Sequence, residues 1–429
     1  MLKNIIFSLA VSLIILPSLC AMDPFVTPPR PTLKRPLTLT QTPLKPTTLF
    51  SDDHDIVESL CTLINSTQKD DEISVNCFVM THKGFADSLI AAQKRGVIIK
   101  NIILDRTSIG YNNGLNIADM LHQAGLNVQI FNADYSQWRG KNKSVINHYK
   151  LFTRKRIKNG VPEYLVSQGS ANFTNLAHDN KEHVDIEPNN QEMYNTCQEI
   201  NKAVLEGCTS YADITNQTEV VRRKNIKQER NPILETPTKT TMVSTHDTDI
   251  LRLIKDRFKK LHKGDSVLMN MYTLNEMDIA KLIVKKYEQG VLFDTVFDRA
   301  SDNPVIDYLA RKNVPVSIYD SVKLVLKNHC KSILFDYTSS GKIVTVTGST
   351  NLTDLSSSKA NLNQVTLSLE PEMFQAHKNM FYEVKKQSKP YPTWFANKPA
   401  PETEPDDSGS DSEDETWRLP STSKRKKIK

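Results

Sequence analysis

Apolar residues follow a helical spacing and then a strand-like run, and this alternation occurs twice along the chain. Within Ala86–Thr107 an amphipathic helical pattern leads through Gly96 into an apolar segment that ends in Asp-Arg. Ile279–Ala300 repeats the same order around Gly290. Helical segments of this length that alternate with apolar strands are typical of α/β units with a parallel or mixed sheet.

The repeat continues beyond this first match. Three further segment pairs follow in the same order: Ala118–Asn132 with Ile306–Asp320, Asn147–Phe152 with Asn328–Asp336, and Val166–Leu176 with Thr345–Leu355. Two copies predict two similar α/β/α-type halves with mixed sheets, related by a pseudo-two-fold axis. We place the first half at residues 51–223, a polar connector at 224–245, and the second half at 246–390.

Both ends of the chain differ from the repeat. A charge-free apolar run after Lys3 predicts a signal peptide over residues 1–21 and a secreted or periplasmic protein, with a membrane anchor as the alternative. Residues 22–50 carry seven prolines and many threonines, which predicts a linker. Residues 391–429 are acidic and then basic, which predicts a disordered tail. Its final SKRKKIK is either a solvated end, a nuclear localisation signal or a polyanion-binding patch.

Composition narrows the class of protein. A length of 429 residues leaves room for two or three domains, and six cysteines exclude a disulfide-rich mini-domain. Cleavage of a signal peptide would leave five cysteines, and in an oxidising compartment Cys61–Cys77 and Cys197–Cys208 are the local candidate pairs. The net charge of +6 does not by itself indicate a nucleic-acid binder.

Each half carries a His-x-Lys pair, and a Gly-Ser-x-Asn motif follows it after an apolar strand. Side chains alternate along a strand, so His148 and Lys150 should share one face, as should His329 and Lys331. Ligand sites of α/β sheets lie at strand ends, where the second motif falls. This motif supplies Gly169, Ser170, Asn172, Gly348, Ser349 and Asn351.

Two imidazoles, two ammonium groups, two hydroxyls and two amides that converge between the halves would suit a phosphodiester. One imidazole can attack phosphorus, and the other can protonate the leaving oxygen and later activate water. The lysines and asparagines can hold the non-bridging oxygens and offset the charge of the transition state. Because these groups supply the cations, we expect no metal and no other cofactor.

With these motifs the sequence resembles the phospholipase D superfamily, the HKD phosphodiesterases, over about residues 51–390. The family motif His-x-Lys-x4-Asp is complete in the second copy, where it ends at Asp336, whereas the first copy has Lys155 at that position. The first copy also continues to Asn180 and Glu182, the family's downstream Asn-x-Glu, and the second copy departs there. We predict six catalytic residues: His148, Lys150, Asn172, His329, Lys331 and Asn351. We predict six substrate-binding residues: Ser170, Ser349, Gly169, Gly348, Glu182 and Asp336.

The two histidines are expected to have different roles. The resemblance favours the N-terminal copy, His148, as the nucleophile, which leaves His329 as the general acid. Local charge favours the same assignment, because eight basic residues and no acid surround His148 in sequence, while Asp336 lies near His329. The eight residues are Arg139, Lys141, Lys143, Lys150, Arg154, Lys155, Arg156 and Lys158.

The substrate stays open at this point. The basic stretch is either a solvated strand edge and loop, or a groove for nucleic acid or an anionic membrane surface. A signal peptide and two copies in one chain favour hydrolysis of a phospholipid headgroup ester, whereas the basic stretch and the Asn-x-Glu element favour DNA or RNA. Phosphatidyl transfer by an enzyme and ligand binding by an inactive secreted protein are two further hypotheses. No obligate protein partner is expected.

Chelation tests the expectation that no metal is needed. Hydrolysis of a phosphodiester by the full chain should persist in excess EDTA, because the lysines and imidazoles supply the positive charge that a metal would otherwise bring. The measurement is the rate with and without chelator. Complete loss of activity that a divalent ion restores would contradict the mechanism.

Overall fold

Two eight-stranded mixed sheets, one in each half of the chain, organise the computed structural model of this protein. The structure describes residues 45–110, 112–138, 141–175, 177, 180–216, 224–226, 240–245, 249–298, 304–324, 326–353 and 361–391. All of them belong to the second of two compact units, which spans residues 35–429. The predicted signal peptide, residues 22–44 of the linker and all but the first residue of the tail lie outside the described residues.

The first half contains twelve strands and six helices among the described residues. In chain order they are β1 (Thr47–Phe50), α1 (Ile56–Asn65), β2 (Glu72–Cys77), α2 (Lys83–Lys94), β3 (Ile98–Asp105), α3 (Arg106–Gly110), α4 (Asn112–Gln123), β4 (Val128–Phe131), β5 (Ala133–Trp138), β6 (Lys141–Ser144), β7 (Ile146–Asn147), β8 (Lys150–Lys158), β9 (Val161–Gly169), β10 (His183–Pro188), α5 (Gln191–Leu205), β11 (Cys208–Ser210), α6 (Tyr211–Asn216) and β12 (Lys224–Ile226).

The second half repeats this order with fewer elements. They are β13 (Thr240–Ser244), α7 (Ile250–Lys259), β14 (Ser266–Met271), α8 (Met277–Glu288), β15 (Leu292–Asp298), α9 (Pro304–Arg311), β16 (Val316–Tyr319), α10 (Ser321–Leu324), β17 (Lys331–Tyr337), β18 (Lys342–Gly348), β19 (Asn361–Leu362), β20 (Gln364–Ser368), α11 (Pro371–Lys386) and β21 (Ser388–Pro390).

The two large sheets correspond strand for strand, which confirms the predicted α/β fold with two similar halves. Their strand orders are β1-β10-β9-β8-β2-β3-β4-β11 and β13-β20-β18-β17-β14-β15-β16-β21. Within each sheet the three strands joined by helical crossovers run parallel, and their neighbours run antiparallel. The amphipathic helices α1, α2 and α4 bury their apolar faces on one side of the first sheet, and α7, α8 and α9 do the same in the second.

Two segments outside the predicted halves form strands of the large sheets. Thr47–Phe50, assigned to the linker, forms edge strand β1 against β10, and Thr240–Ser244, assigned to the connector, forms β13 against β20. Both segments are short and adjoin proline-rich sequence, but they are rich in β-branched and apolar residues that fit a pleated surface. Each half therefore begins with a strand that the sequence repeat does not include.

The halves exchange contacts across a shared inner face. Helix α5 of the first half packs in one cluster with Met242 of β13 and Leu362 of β19. Helix α11 of the second half packs in another cluster with Phe50 of β1. Each inner helix thus covers the edge strand of the opposite half, which keeps the two sheets together.

The cysteines and the helices of the described residues bear on two further expectations. Cys61, Cys77, Cys197, Cys208 and Cys330 are all unpaired and buried, so the two local disulfide candidates are wrong. Both candidate pairs join residues of a packed core, where the thiols serve as small apolar groups. No helix among the residues described has the length and apolar character needed to cross a membrane.

Candidate active site

Each predicted catalytic histidine is attached through its backbone to the half of the chain that does not contain it. Strand β7, just before His148, runs parallel to β19 of the second half, and the His148 N–H donates to the Leu362 carbonyl at 2.9 Å. Reciprocally, Asn328 forms a bridge with Lys181, and the His329 N–H donates to the Lys181 carbonyl at 3.0 Å. The two half-sites are therefore assembled by a reciprocal crossing of main chain.

The residues that follow Leu362 and Lys181 in the chain contact the two imidazoles. His148 Nδ1 lies 2.9 Å from Asn363 Oδ1, and His329 Nδ1 lies 2.8 Å from Glu182 Oε1. Asn363 and Glu182 hold equivalent places in the two halves, next to β20 and β10. The sequence pointed to Glu182 but missed Asn363, because the second copy departs from the family's Asn-x-Glu pattern there. The site is thus symmetric in geometry and asymmetric in chemistry, with an amide behind one imidazole and a carboxyl group behind the other.

The two serines bind these supporting residues. Ser170 Oγ donates to Glu182 Oε2 at 2.6 Å, and Ser349 Oγ lies 3.0 Å from Asn363 Oδ1. Both serines are fully buried. Their hydroxyls hydrogen-bond to Glu182 and Asn363, the residues that contact the imidazoles.

The two lysines begin strands at the carboxyl ends of the central parallel strands. Lys150 pairs with Cys77 at the end of β2, and Lys331 pairs with Met271 at the end of β14. Both are 2% exposed, and each Nζ donates to the carbonyl of its own histidine, at 3.0 and 2.8 Å. The predicted strand therefore starts at the lysine, and the histidine lies in the turn before it.

The charges of the two half-sites influence each other, which places them in one site. Burial, followed by the charges of Lys150 and Lys331, lowers the pKa of His148 well below its usual value. Burial and the same two lysines also lower the pKa of His329, whereas a hydrogen bond with the backbone of Ser170 acts in the opposite direction. Neither isolated imidazole is therefore readily protonated at neutral pH.

The carboxyl group of this cluster holds its proton unusually tightly. Burial raises the pKa of Glu182 to about 8, although Lys331, Ser170 and Lys150 all act to lower it. Burial lowers the pKa of Lys331 to about 8 and that of Lys150 well below its usual value. The cluster is short of negative charge, which suits it to an anionic ligand.

The asparagines and glycines of the repeated motif differ in what they contribute. Asn172 is half-buried, and its Oδ1 is buried without a hydrogen-bond partner among the described residues. Asn351 holds the equivalent place in the second half. A Cβ on Gly169 or Gly348 would lie 2.2 Å from the carbonyl oxygen of His183 or Gln364, so the close approach of two strands requires both glycines.

Asp336 does not lie in the site. It is the sixth residue of β17, where it pairs with Ser266 and Ile343, about 16 Å along the strand from Lys331. The expectation that it binds substrate or favours protonation of His329 is therefore wrong, because a strand carries its residues steadily away from its first one. Glu182 supplies the acidic partner of His329 instead.

Two further groups at the site were absent from the sequence-based set. The rings of Phe78 and Tyr272 lie 5.0 Å from those of His148 and His329, and each lysine Nζ lies 5.4 Å from the same ring of its half. Asp105 and Asp298, the aspartates of the repeated Asp-Arg, accept the backbone N–H of the residue before each histidine. Asp105 and Asp298 occupy matching positions in the two copies of the repeat, and this match could have identified them from the sequence.

Most of the basic stretch with described side chains turns away from the site. Strand β8 carries it from Lys150 toward its far end, where Arg156 makes bidentate contacts with Asp71 at 2.8–3.1 Å and donates to the Ser66 carbonyl. Lys155 pairs with Glu72 at 3.7 Å. At this end of the strand, Arg156 and Lys155 are thus engaged in ion pairs within the protein, and the groove for an anionic substrate stays a prediction.

Two groups of side chains among the described residues have a donor set that suits a metal, but protein partners account for both. In the first, Glu58, Cys61 and His82, the histidine Nδ1 caps α2. In the second, His183, Asp185 and His377, the carboxylate accepts hydrogen bonds from Thr48, Gln168, Thr347 and His377. Neither group includes a predicted catalytic residue, and the expectation of a metal-independent reaction stays a prediction.

Comparison with known proteins identifies the sequence family. The family model described as "Cardiolipin synthase, PLD-like domain" matches residues 60–204 and 254–385, which together exceed half of the chain. No curated protein sequence matches the chain.

Three solved structures are similar to parts or most of the chain. Phosphatidylserine synthase of Haemophilus influenzae Rd KW20 aligns with 82% of this chain and 89% of its own, at 10% identity and a TM-score of 0.56. Polyphosphate kinase of Porphyromonas gingivalis aligns with 79% of this chain at 12% identity and a TM-score of 0.52, and this chain spans half of the kinase's length (50%). Nuc of Salmonella typhimurium, a phospholipase D family member, aligns with 35% of this chain and 97% of its own, at 19% identity and a TM-score of 0.31. The first two likenesses show a shared fold.

Replacing Arg156 tests the role of the basic stretch. Arg156→Ala should lower the free energy of unfolding by about 2 kcal/mol, because it leaves the buried Asp71 carboxylate without its partner. Lys158→Ala, which removes an exposed surface pair, should cost less than about 0.5 kcal/mol. Chemical denaturation measures both. An Arg156→Ala protein of normal stability with weaker, less salt-dependent DNA binding would contradict the structural role and support the groove interpretation.

Proposed function

The chain belongs to the phospholipase D superfamily, and from this premise we propose that it hydrolyses phosphodiesters through a covalent phosphohistidine, with His148 as nucleophile and His329 as general acid. The observation that carries the assignment is the unequal support of the two imidazoles. An amide oxygen faces Nδ1 of His148, and a carboxyl group faces Nδ1 of His329. The roles predicted from the sequence are thus proposed again, but on different grounds.

An amide oxygen can only accept a hydrogen bond, and this defines the tautomer of His148. Asn363 Oδ1 takes the Nδ1–H of the neutral ring, which leaves a lone pair on Nε2. The lowered pKa of His148 keeps that lone pair unprotonated at neutral pH. A neutral imidazole with a free Nε2 is the form that can attack phosphorus.

A carboxyl group can both give and take a proton, and this suits His329 to acid catalysis. Contact at 2.8 Å requires a proton between Glu182 Oε1 and His329 Nδ1, since two lone pairs would otherwise face each other. Because the pKa of Glu182 is raised to about 8, its carboxyl group is protonated at neutral pH and donates this proton to Nδ1. The neutral His329 ring then carries its own proton on Nε2. His329 can then donate from Nε2 while Nδ1 receives the proton of Glu182.

The proposed reaction balances over two steps. The His148 Nε2 lone pair forms a bond to phosphorus as the bond from phosphorus to the leaving oxygen breaks, and that oxygen takes the Nε2 proton of His329. Water then gives a proton to His329 Nε2 while Nδ1 returns its proton to Glu182, the water oxygen bonds to phosphorus, and the phosphorus–nitrogen bond breaks. The products are an alcohol and a phosphomonoester, with both histidines restored. Lys150 and Lys331 would offset the charge on the non-bridging oxygens.

We propose a phospholipid headgroup ester as the substrate. Much of the support for a nucleic-acid groove came from the basic stretch, and its far end is engaged in ion pairs within the protein. The description of the matching family model names cardiolipin synthase, whose chemistry concerns phospholipids. Transfer of a phosphatidyl group would use the same intermediate, with an alcohol in place of water.

A hairpin beside His148 supports contact with an anionic membrane surface. Strands β5 and β6 follow β4 and pair with each other as a hairpin. At its base the Val145 N–H donates to the Ala133 carbonyl at 3.1 Å, and β7 and His148 come next in the chain. The second half has a shorter interval between β16 and His329. Aromatic and basic residues together are typical of a membrane interface. The hairpin sequence contains Tyr135, Trp138, Arg139, Lys141 and Lys143.

Mapping the covalent adduct tests the proposed roles. The full chain is mixed with a phosphodiester that has a nitrophenolate leaving group, quenched within milliseconds and analysed by mass spectrometry at neutral or basic pH. We expect phosphorus on His148 in the wild type, and accumulation of that adduct in His329→Asn, which attacks but lacks the group that activates water. His148→Asn should form none. An adduct on His329 would reverse the assignment.

The substrate class is tested in the same preparation. Vesicles of phosphatidylcholine, phosphatidylglycerol or cardiolipin are compared with single-stranded DNA at equal phosphodiester concentration. Release of a lipid headgroup supports the proposal. Cleavage of DNA without attack on any lipid would show that the substrate is nucleic acid.

The proton held at Glu182 predicts the pH dependence. Activity should be present below about pH 8 and fall above it, because deprotonation of the Glu182–His329 pair and of Lys331 removes both the acid and a cation. Glu182→Gln should lose activity at pH 7 toward poor leaving groups and retain most of it toward nitrophenolate esters. The control is Glu163→Gln, which alters an acid paired with Lys158 on the surface. A Glu182→Gln rate that is equally reduced for every leaving group would contradict the acid role.

A further inference from the structure

A buried aspartate holds the turn before each proposed catalytic histidine. Asp105 ends β3, and its Oδ2 accepts the backbone N–H of Asn147 at 2.7 Å. Asp298 ends β15, and its Oδ2 accepts the backbone N–H of Asn328 at the same distance, 2.7 Å. Both carboxylates are buried. They belong to the repeated Asp-Arg, to which neither the family motif nor the reaction described above gives a role.

The other oxygen of each carboxylate ties it to its own half. Asp105 Oδ1 accepts from the N–H of Thr107 at 2.8 Å and from its hydroxyl. Asp298 Oδ1 accepts from the Ser321 hydroxyl at 2.7 Å. Each aspartate therefore connects the end of a sheet strand to the histidine turn through two oxygens with separate partners, which restricts rotation of the carboxylate.

The asparagines extend this connection into the sheet. Asn147 Nδ2 donates to Asn76 Oδ1 at 2.8 Å, and Asn328 Nδ2 donates to Asn270 Oδ1 at 2.8 Å. Both asparagines are fully buried, and their main chains form the crossings to the opposite half. The aspartate thus sets the position of the crossing that presents each imidazole to its partner, Asn363 or Glu182.

Each aspartate also provides negative charge close to the lysine of its half. Burial lowers the pKa values of Lys150 and Lys331, and Asp105 and Asp298 are among the charges that oppose the shift in their respective halves. A buried ammonium group requires such a counter-charge to remain protonated. Burial also raises the pKa of Asp105, and it raises that of Asp298 to about 6. The same group therefore contacts the histidine turn and, in its ionised form, favours the cationic lysine.

We propose that Asp105 and Asp298 are positioning residues with separate tasks: Asp105 holds His148 for attack on phosphorus, and Asp298 holds His329 for protonation of the leaving oxygen. The division between two chemical steps rests on the proposed function. The placement of each imidazole does not, and it can be measured without turnover.

Nuclear magnetic resonance of the imidazoles tests the placement. Asp105→Asn and Asp298→Asn are made in the full chain, with Asp87→Asn, an exposed acid paired with Lys83, as the matched control. The side-chain ¹H–¹⁵N signals of the two histidines are assigned with His148→Gln and His329→Gln. Asp105→Asn should shift the His148 signal and leave that of His329 in place, and Asp298→Asn should do the reverse. Unchanged signals in both variants, or equal shifts of both histidines in each variant, would overturn the proposal.

Leaving-group dependence tests the division of labour. The substrates are aryl phosphodiesters whose phenols span a range of acidity. Asp105→Asn should slow every substrate by a similar factor of about tenfold or more, because nucleophilic attack is needed whatever the leaving group. Asp298→Asn should slow the poorest leaving groups about tenfold more than the best one. A uniform loss in both variants would overturn the separate tasks, and no turnover by the wild type would refute the proposed function while the imidazole signals still decide the placement.

Thermal unfolding separates these effects from loss of the fold. Where an asparagine variant does not fold, Asp105→Glu and Asp298→Glu retain the charge but displace the carboxylate by one methylene group. A folded glutamate variant should show the same selective shift as predicted for asparagine. Folded glutamate variants that leave both imidazole signals and both rates within twofold of wild type would overturn the proposal.

Discussion

Each imidazole of the candidate site depends on the half of the chain that does not carry it. The main chain of His148 is bound by Leu362 and its ring by Asn363, while Lys181 and Glu182 do the same for His329. The reciprocal crossing explains why the two sheets are joined at their inner faces, with α5 against β13 and α11 against β1. Any movement that separated the halves would remove the support of both histidines at the same time.

One carboxyl group breaks the symmetry that this arrangement would otherwise have. The candidate site is a largely buried cluster of two lysines and two histidines. Among the described residues of this cluster, Glu182 is the acidic group that contacts an imidazole. Its counterpart Asn363 has the same hydrogen-bonding reach but does not titrate. Two imidazoles in similar surroundings thereby have different hydrogen-bond partners, and the proposed division into nucleophile and general acid rests on this difference.

The sequence allowed the fold and the centre of the site to be predicted, because both appear twice in register. The repeat around Gly96 and Gly290 predicted the α/β halves, and the paired motifs led to the lysines and serines. Strands β1 and β13 were missed, because four or five residues beside prolines carry too little pattern. Asp336 was wrongly placed in the site because it lies five residues after Lys331 on an extended strand, and each residue of a strand adds about 3.3 Å of distance.

Two other features, the role of Asn363 and the pairing of the cations around Arg156, depend on contacts between residues that are far apart in the chain. Asn363 was missed because the second copy has an amide where the family's Asn-x-Glu pattern has a carboxyl group, and its contact joins it to a histidine more than two hundred positions earlier. The cations around Arg156 left a solvated strand edge and an anion-binding groove as alternatives, because their partners Asp71 and Glu72 come from a neighbouring strand and the turn before it. Charge along the chain does not reveal which charges will be neutralised by pairing.

The crossing between β7 and β19 has a consequence for the order of events during synthesis. The turn that carries His148 finds its pairing partner only in Asn361–Leu362, late in the second half. A ribosome must therefore have made and released the second half as far as β19 before the first histidine gains its supporting amide. The nascent chain cannot complete either half-site from the first half alone, so the candidate site forms only after both halves have emerged.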